Sequence, residues 1–572
     1  MRTTLAKLLL PAVLALAGAA TAADLPRFLP AETLFAIGVE GLAAHQDKAQ
    51  PFIDEWERLD LSALLEAAFA EEVGEDVPEV PDLGAGFLDL VGLEAWVAVS
   101  ASQFNPLPAV TVMARVTPQG MSAARELLGE LEAAGESVQM TEGAVTFTVV
   151  TPADEEEIPT PIAFAAFEDV VLVSTNPDVA RGVLRRYQGA SEPSLATNSG
   201  YLGTIGAQRA GNAYMFLDLA AAADLAAPFA SGMGFESLVQ RLGAAADTAG
   251  VYGTITTITD DGFESLGVRV LGGRDGDPRL HDLLSGGGPV SDRVLAFVPP
   301  AALGVSAATA DLPGWWDWLE DVVASEPMIG ITDLDQLLLE SVGLDPQRAL
   351  FGWMGDEVAT ITLGYGQASA VPTDLTDPLG EAVYLVEVTD EGAAQAGLNE
   401  LFMLATGFAS SFMDPMGEGG MVEPAQRDVA GVNVTDWELA DGFTLSVAVT
   451  DGYALIATTP SAMDAALGAR AGAAGLSSAL TPLRGRVPQG VRSFTLSDDR
   501  ASLAYSAQLL VDQFGMMSGL TGGDIDFEAV EAATAALAEF LAFATERLGG
   551  SVGYSTVDGA VVRTEGFSYV AW

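Results

Sequence analysis

The chain repeats its own pattern. A unit of about 270 residues opens at Phe28 and opens again at Phe297. Phe28-Leu29-Pro30-Ala31-Glu32-Thr33-Leu34 matches Phe297-Val298-Pro299-Pro300-Ala301-Ala302-Leu303, and a Trp-bearing amphipathic segment follows each, at Phe52–Trp56 and Trp315–Leu319. Val91-Gly92-Leu93-Glu94 answers Met354-Gly355-Asp356-Glu357, each entering an apolar strand. Further along, Arg115–Gly120 stands against Glu387–Gly392, and Val171–Pro177 against Ala454–Pro460. Each copy closes on a hairpin, turning at Asp261-Gly262 or at Asp558-Gly559. Any one match is weak. Their shared order carries the argument that one structural unit is used twice.

The first residues read as an export address. Arg2 and Lys7 supply the positive start, Leu8–Leu16 the apolar run, and Ala20-Thr21-Ala22 a small-residue cleavage site. That run is too short to span a bilayer, and no later stretch continues long enough without a charge or a break. The mature chain is expected to begin at Ala23 as a soluble exported protein. Cysteine is absent, which removes a lipoprotein anchor, thiol nucleophiles, Cys-ligated zinc and iron–sulfur clusters. A chain this long buries a core without disulfide staples. With 25 Lys and Arg against 79 Asp and Glu, the net charge is −54, and Lys48 is the one lysine after Lys7. Such a surface repels nucleic acid and anionic lipid headgroups.

Both copies read as α+β. Apolar runs mark strands at Thr33–Val39, Ala95–Ser100, Ala109–Val116, Ala144–Val150, Ile162–Ala166, Val170–Ser174, Ala213–Leu217, Val251–Ile258 and Phe263–Leu271. Met121, Ala124, Leu127, Leu128 and Leu131 share one helix face, and Asp178 after Pro177 opens another helix. The second copy has strands at Glu357–Leu363, Ala382–Val388, Val432–Trp437, Thr444–Val449, Tyr453–Ala457, Ser493–Leu496, Ser551–Thr556 and Val561–Tyr569. Its helices fall at Trp315–Val323, Ala393–Phe412, Ala501–Phe514 and Phe527–Leu548. Strands follow strands through hairpins, so the expected architecture is two similar tandem domains, each a mainly antiparallel sheet with helices on one face. The boundaries are a signal peptide at 1–22, a first repeat at 23–271, a Gly- and Pro-rich linker at 272–292 and a second repeat at 293–572. A short helix is expected in the linker at Leu280–Leu284. Two loops differ between the copies, Pro152–Pro159 and Asp414–Gly420.

The segment Leu344-Asp345-Pro346-Gln347-Arg348-Ala349-Leu350-Phe351-Gly352-Trp353-Met354-Gly355-Asp356-Glu357 carries a resemblance. It is similar to a segment of an exported bacterial family called domain of unknown function 3352, in which a Trp precedes a Gly and an acidic pair. Phe28–Thr33 resembles that family's opening, a Pro-Ala-Asp-Thr sequence entering a strand. The resemblance covers nearly all of the mature chain. The first copy departs from it, since Val91-Gly92-Leu93-Glu94 lacks the preceding Trp and the acidic pair. The resemblance implies an envelope or secreted location and no established activity, so it assigns no site residues.

Little chemistry is on offer. The two histidines, His45 and His281, sit at non-equivalent positions and read as surface residues, so neither a His triad nor a HExxH zinc site is available. There is no Walker A loop, no G-x-S-x-G elbow and no S-x-x-K. Among the many carboxylates, Glu94 and Glu357 are the least arbitrary pair, because they occupy matching places. The expectation for both is the solvated start of a strand. Asp524-Ile525-Asp526-Phe527-Glu528 lacks the Gly and distal Glu of a calcium loop and reads as a helix N-terminus. Asp154–Glu157 reads as a solvated acidic run. Leu401–Leu404, Phe408, Phe412 and Met413, then Leu537, Phe540, Leu541 and Phe543, give long apolar helices that read as core, with an acyl-chain groove as the alternative. Met516 and Met517 end a third such run. In Trp315-Trp316-Asp317-Trp318 one Trp is expected to be exposed, where it would suit a sugar.

The expected function is that of an exported, non-enzymatic envelope protein acting as a binding, chaperone-like or scaffolding module. No catalytic, cofactor or metal residues are assigned and no cofactor is expected. The partner is an unknown envelope protein, lipid or glycan. The competing expectation is a carboxylate-dependent glycan hydrolase, which needs two carboxyls converging in a cleft.

Overall fold

In this computed structural model the described residues are Leu25–Trp572, apart from 62, 65–93, 102–107, 134, 153–160, 207, 209, 233–235, 326–329, 365–379, 414–423, 441–442, 473–474 and 505–526. The expected signal peptide at 1–22, most of the expected helix Ala501–Phe514, the acidic run Asp154–Glu157, the loop at 414–420, Met516, Met517 and Asp524–Asp526 therefore lie outside the described residues.

Twenty described strands form one sheet. The first ten are β1 (Thr33–Glu40), β2 (Glu94–Ser100), β3 (Ala109–Arg115), β4 (Gly135–Glu142), β5 (Val145–Pro152), β6 (Ile162–Phe167), β7 (Val170–Ser174), β8 (Ala213–Asp218), β9 (Val251–Thr259) and β10 (Gly262–Val270). The second ten are β11 (Gly304–Thr309), β12 (Met354–Gly364), β13 (Glu381–Val388), β14 (Ala425–Val429), β15 (Val432–Ala440), β16 (Phe443–Thr450), β17 (Tyr453–Ala457), β18 (Ser493–Asp498), β19 (Leu548–Asp558) and β20 (Val561–Val570). Hydrogen-bonded neighbours run β4-β5-β6-β7-β3-β2-β1-β8-β9-β10. β10 pairs with β20, and the order continues β19-β18-β11-β12-β13-β17-β16-β15-β14. Each of these pairings is antiparallel. Read inward from its own edge, the second set has the strand order of the first.

The two sets meet at β10 and β20. Gly262 lies opposite Tyr569, Val270 opposite Val561, and Leu266 opposite Glu565 at the centre. The closing hairpins pair Thr259 with Gly262 and Asp558 with Val561. Aligning those turns puts Leu266 in register with Glu565, so this residue pairs with its own counterpart. That is the condition for a local two-fold axis at the seam. The turn residues are Asp260-Asp261 and Gly559-Ala560, so matching Asp261-Gly262 to Asp558-Gly559 in sequence is two residues out of step.

The helices that matter below are α1 (Gln46–Arg58), α2 (Pro118–Ala133), α3 (Pro177–Tyr187), α4 (Leu219–Gly232), α5 (Glu236–Ala249), α6 (Pro278–Ser285), α7 (Leu312–Ala324), α8 (Leu334–Val342), α9 (Glu391–Met413), α10 (Pro460–Gly472), α11 (Leu480–Arg484) and α12 (Phe527–Arg547). They cover both faces of the sheet, which corrects the one-faced expectation. β17 shows the cause. Tyr453, Leu455 and Ala457 pack with Met463, Ala466 and Leu467 of α10. Ala454 and Ile456, on the other side, pack with Leu398 and Phe402 of α9. A strand apolar on both sides needs cover on both. The first half does the same. Ala165 and Leu172 pack with Val183 and Leu184 of α3. Val171 and Val173 pack with Ala124 and Leu128 of α2. α3 begins where Asn176 accepts from the amides of Asp178 and Val179, with Pro177 in the first turn.

The halves interlock beyond the sheet. Phe52 of α1 packs edge-on against Phe543 of α12 at 5.6 Å, and Trp56 against Phe540 at 5.3 Å. Arg58 bridges to Glu539 at 2.6 Å. Reciprocally, α7 of the second half packs on α5 of the first.

The linker is held rather than loose. Asp277, 1% exposed, caps α6 at the Leu280 amide, accepts from Trp318 Nε1 at 2.7 Å and lies 3.4 Å from the Arg241 guanidinium. Its own amide donates to Thr248 Oγ1. One carboxylate thus ties α5, α6 and α7 together. Replacing Asp277 with Ala leaves an arginine, an indole N–H and a helix N-terminus without their acceptor. The expected loss is about 3–5 kcal/mol of stability, read from denaturant midpoints. A loss below about 1 kcal/mol, the surface ion-pair range, would contradict this role.

Candidate functional site

The two carboxylates singled out by the repeat are buried, not solvated. Glu94 is 2% exposed and Glu357 is 5% exposed. Glu94 opens β2 opposite Glu40 and Arg115, and Glu357 lies within β12 opposite Thr309. The solvated-start expectation is corrected for a physical reason. Each carboxylate receives a backbone amide from the segment that precedes its half's first strand, and a side-chain donor from the sheet itself, Trp96 for Glu94 and Tyr453 for Glu357.

Glu94 Oε1 accepts from the Leu25 amide and from Trp96 Nε1, each at 3.0 Å. Its Oε2 has no partner among the described residues. Burial pushes its carboxyl up to about 8, against the opposing pull of those two donors. Trp96 stacks on Tyr214 at 5.5 Å, and Tyr214 donates to Glu40 Oε2 at 3.1 Å. Glu357 is better supplied. Ser291 donates its amide to Oε2 at 2.7 Å and its hydroxyl to Oε1 at 3.0 Å, and Tyr453 donates its phenol to Oε1. Burial and then Glu357 itself push that phenol up to about 12. In each half the carboxylate fastens the short 3-10 segment ahead of the first strand, Leu25–Arg27 or Asp292–Phe297, to the sheet. Two buried acids used this way are fold locks.

The other residues marked by the sequence are also engaged internally. His45 is half-buried in the turn Leu42–His45, and burial, then Lys48, lowers its pKa. His281, half-buried on α6, lies 3.4 Å from Ser285 Oγ and 3.7 Å from Asp282. Both are less open than the surface positions expected. Among the described residues no three His, Cys, Asp or Glu side chains converge to hold a metal. Trp316 stacks on Phe351 at 5.2 Å and donates to Asp335, while Trp315 and Trp318 pack edge-on at 5.8 Å. All three are half-buried, so the expected exposed Trp is corrected: each ring has an intramolecular partner. Phe402 stacks on Trp437 at 6.2 Å, as the core reading expects, although Met403 beside it is 56% exposed.

Two clefts remain. One of about 520 Å³ follows the linker, between Arg279, Gly286, Gly287, Asp311, Asp317 and Arg492. Its charges are largely spent: Arg279 pairs with Asp317 and Asp321, Asp311 caps α7, and Arg492 donates to the Leu283 and Leu284 carbonyls. The other, of about 300 Å³, lies on the seam between Glu264, Arg486, Tyr554, Glu565 and Phe567. Neither contains Glu94 or Glu357. The seam residues, and Asp277, carry no motif. The seam residues become visible only once β10 and β20 are paired, and Asp277 only once α5, α6 and α7 are packed together.

The fold and these sites define an α+β protein built on one large antiparallel sheet. A family profile, described as protein of unknown function DUF3352, matches residues 119–480. The chain belongs to that family. The match takes in the Leu344–Glu357 segment that carried the resemblance, and it stops short of the opening at Phe28. No curated protein and no solved structure matches the chain.

Proposed function

We propose that this is an exported, non-catalytic envelope protein, a duplicated binding or scaffolding module whose two copies share one sheet. The duplication is supported by the strand order common to both sets of ten and by the self-matching register at Leu266 and Glu565. The export reading rests on the sequence of residues 1–22. No described helix is long and apolar enough to cross a membrane.

The observation that carries the binding reading is the exposed apolar side chains on neighbouring helices. Leu242 of α5, Leu319 of α7 and Leu337, Leu339 and Val342 of α8 are 39–52% exposed. α7 packs on both α5 and α8. Large apolar groups gathered on one helical layer are the usual mark of a docking surface. The test is a photo-crosslinking residue at Leu319 or Leu339 in cells, followed by mass spectrometry. A reproducible adduct that disappears with Leu339→Glu is expected. Adducts spread equally over a distant control position would overturn the reading.

The hydrolase reading retains one observation, the presence of Glu264 and Glu565 in a single cleft. The same purified protein should leave glycan substrates intact. Hydrolysis abolished by Glu565→Gln would replace the binding reading with that one.

A further inference from the structure

The two-fold relation makes the seam cleft stand out. Aligning the closing turns sets Tyr554 against Ile255, Arg563 against Glu264, Glu565 against Leu266, and Phe567 against Val268. Two related positions therefore flank the same axis. On one side, Ile255 and Val268 are buried beside Leu266. On the other, the same places carry a phenol, a carboxylate and a phenyl ring, and the cleft of about 300 Å³ opens there. A repeat preserves what the fold needs. The side that departs toward charge carries something the fold alone does not ask for.

The cleft's groups are already oriented. Tyr554 donates to Glu565 Oε2 at 2.7 Å, and the Glu565 side chain is exposed. Glu264 lies opposite Phe567 on the same side of the sheet as Glu565. Arg486 stacks on Phe567, its guanidinium 3.9 Å from the ring centroid, and donates Nε to Tyr569 at 2.8 Å. Arg486 has no carboxylate partner within ion-pair distance among the described residues, whereas Arg58, Arg185, Arg279, Arg427 and Arg470 all do. A guanidinium held by rings, with no carboxylate on its terminal nitrogens among the described residues, matches a carboxylate in geometry. Across the cleft, Glu565 and Glu264 match an ammonium.

The geometry points to a binding site for a small zwitterion, an α-amino acid or a very short peptide with both its ends free. Its carboxylate lies on Arg486 and its ammonium lies between Glu565 and Glu264. A cleft of this size takes an amino acid but not a folded partner. The strongly acidic surface draws the ammonium end, and Arg486 is the local exception that seats the carboxylate. This deepens the binding reading by naming a ligand class, but it stands on different residues from the apolar helices. Loss of crosslinking at Leu339 would leave it intact.

The experiment is ligand-observed saturation-transfer NMR on the full chain. The probes are glycine, L-alanine, L-lysine and triglycine, with acetate, methylamine and glucose for comparison. The zwitterions are expected to bind best. Arg486→Ala and Glu565→Gln should each weaken them about tenfold or more, the scale of one lost charge-assisted hydrogen bond. Arg486→Lys, which keeps the charge and loses the fork, should fall between. Thermal melts of each variant separate a lost site from a lost fold, because Arg486 and Glu565 are exposed and the melts are expected to stay close to wild type. Glucose binding above the zwitterions, or zwitterion binding unchanged in both Arg486→Ala and Glu565→Gln, would overturn the proposal.

Discussion

Gly262→Val should be among the most damaging single substitutions in this protein. Gly262 opens β10 at φ +143°, where a side chain is strained whatever the space. A Cβ there would also fall 1.9 Å from the Ser568 carbonyl oxygen and 2.9 Å from the Val570 amide nitrogen. Both of those atoms belong to β20, so the side chain has to push the two strands apart at the first rung of the seam. The neighbouring contacts fail with it. Val570 donates to the Asp261 carbonyl, and Trp572 donates to the Thr259 carbonyl while packing on Phe263. The expected loss is about 3–5 kcal/mol, combining backbone strain with a broken ladder. Gly262→Ala should already cost about 2 kcal/mol, for the same Cβ. Denaturant unfolding by fluorescence checks this. Wild-type stability in Gly262→Val would mean that β10 and β20 do not meet in this register.

The second large effect is a pH dependence carried by Glu94. Its carboxyl is raised from 4.5 to about 8 in the folded chain, chiefly by burial. A carboxyl raised by folding holds a proton that the unfolded chain releases. Its contribution is therefore fully present below pH 4.5, falls as pH rises through the window from 4.5 to about 8, and is flat above. The drop is about 5 kcal/mol. Glu94→Gln keeps an oxygen for Leu25 and Trp96 and carries no charge, so it resembles the protonated acid. The variant should match the wild type near pH 4.5 and be more stable by several kcal/mol near pH 8. Other carboxylates contribute the opposite slope. Asp451, held down by Arg470, loses its contribution as pH falls. The difference between the two proteins, measured from pH 4.5 to 8.5, removes that background. Parallel profiles would show that Glu94 stays ionised in the folded state.

Local pattern carried much of this fold. Most strands of both halves fall where β-type apolar runs place them, because their side chains face packed helices. The strands missed by pattern have specific causes. β4, with Ser137, Val138 and Gln139 exposed, and β14, with its Gln426-Arg427-Asp428 core, are the outer edges of the sheet. Edge strands carry polar groups to deter further pairing, and each is fixed by its hairpin partner. β11, Gly304–Thr309, has the weak strand formers Gly304, Ser306, Ala307 and Ala308 between and beside Val305 and Thr309, and is set by β12 and β18 on either side. The carboxylate locks were half legible. Their matching positions singled out Glu94 and Glu357, but burial depends on Leu25, Ser291 and Tyr453, which are distant in sequence. The seam cleft was illegible, since Glu264, Arg486 and Glu565 share no motif and meet only through the pairing of β10 with β20.

That pairing is what the whole account stands on, and the absence of cysteine makes it directly measurable. Leu266→Cys with Glu565→Cys places two thiols on directly opposed residues. Opposed antiparallel residues have Cα atoms about 4.5–5.5 Å apart, within the range a disulfide spans. Oxidation should link them within one chain, leave no free thiol by mass spectrometry and keep the protein monomer-sized on denaturing gels. Leu266→Cys with Arg563→Cys, a diagonal pair about 7–8 Å apart, should stay largely reduced. Free thiols in the first variant, or preferential linkage in the second, would contradict the shared sheet.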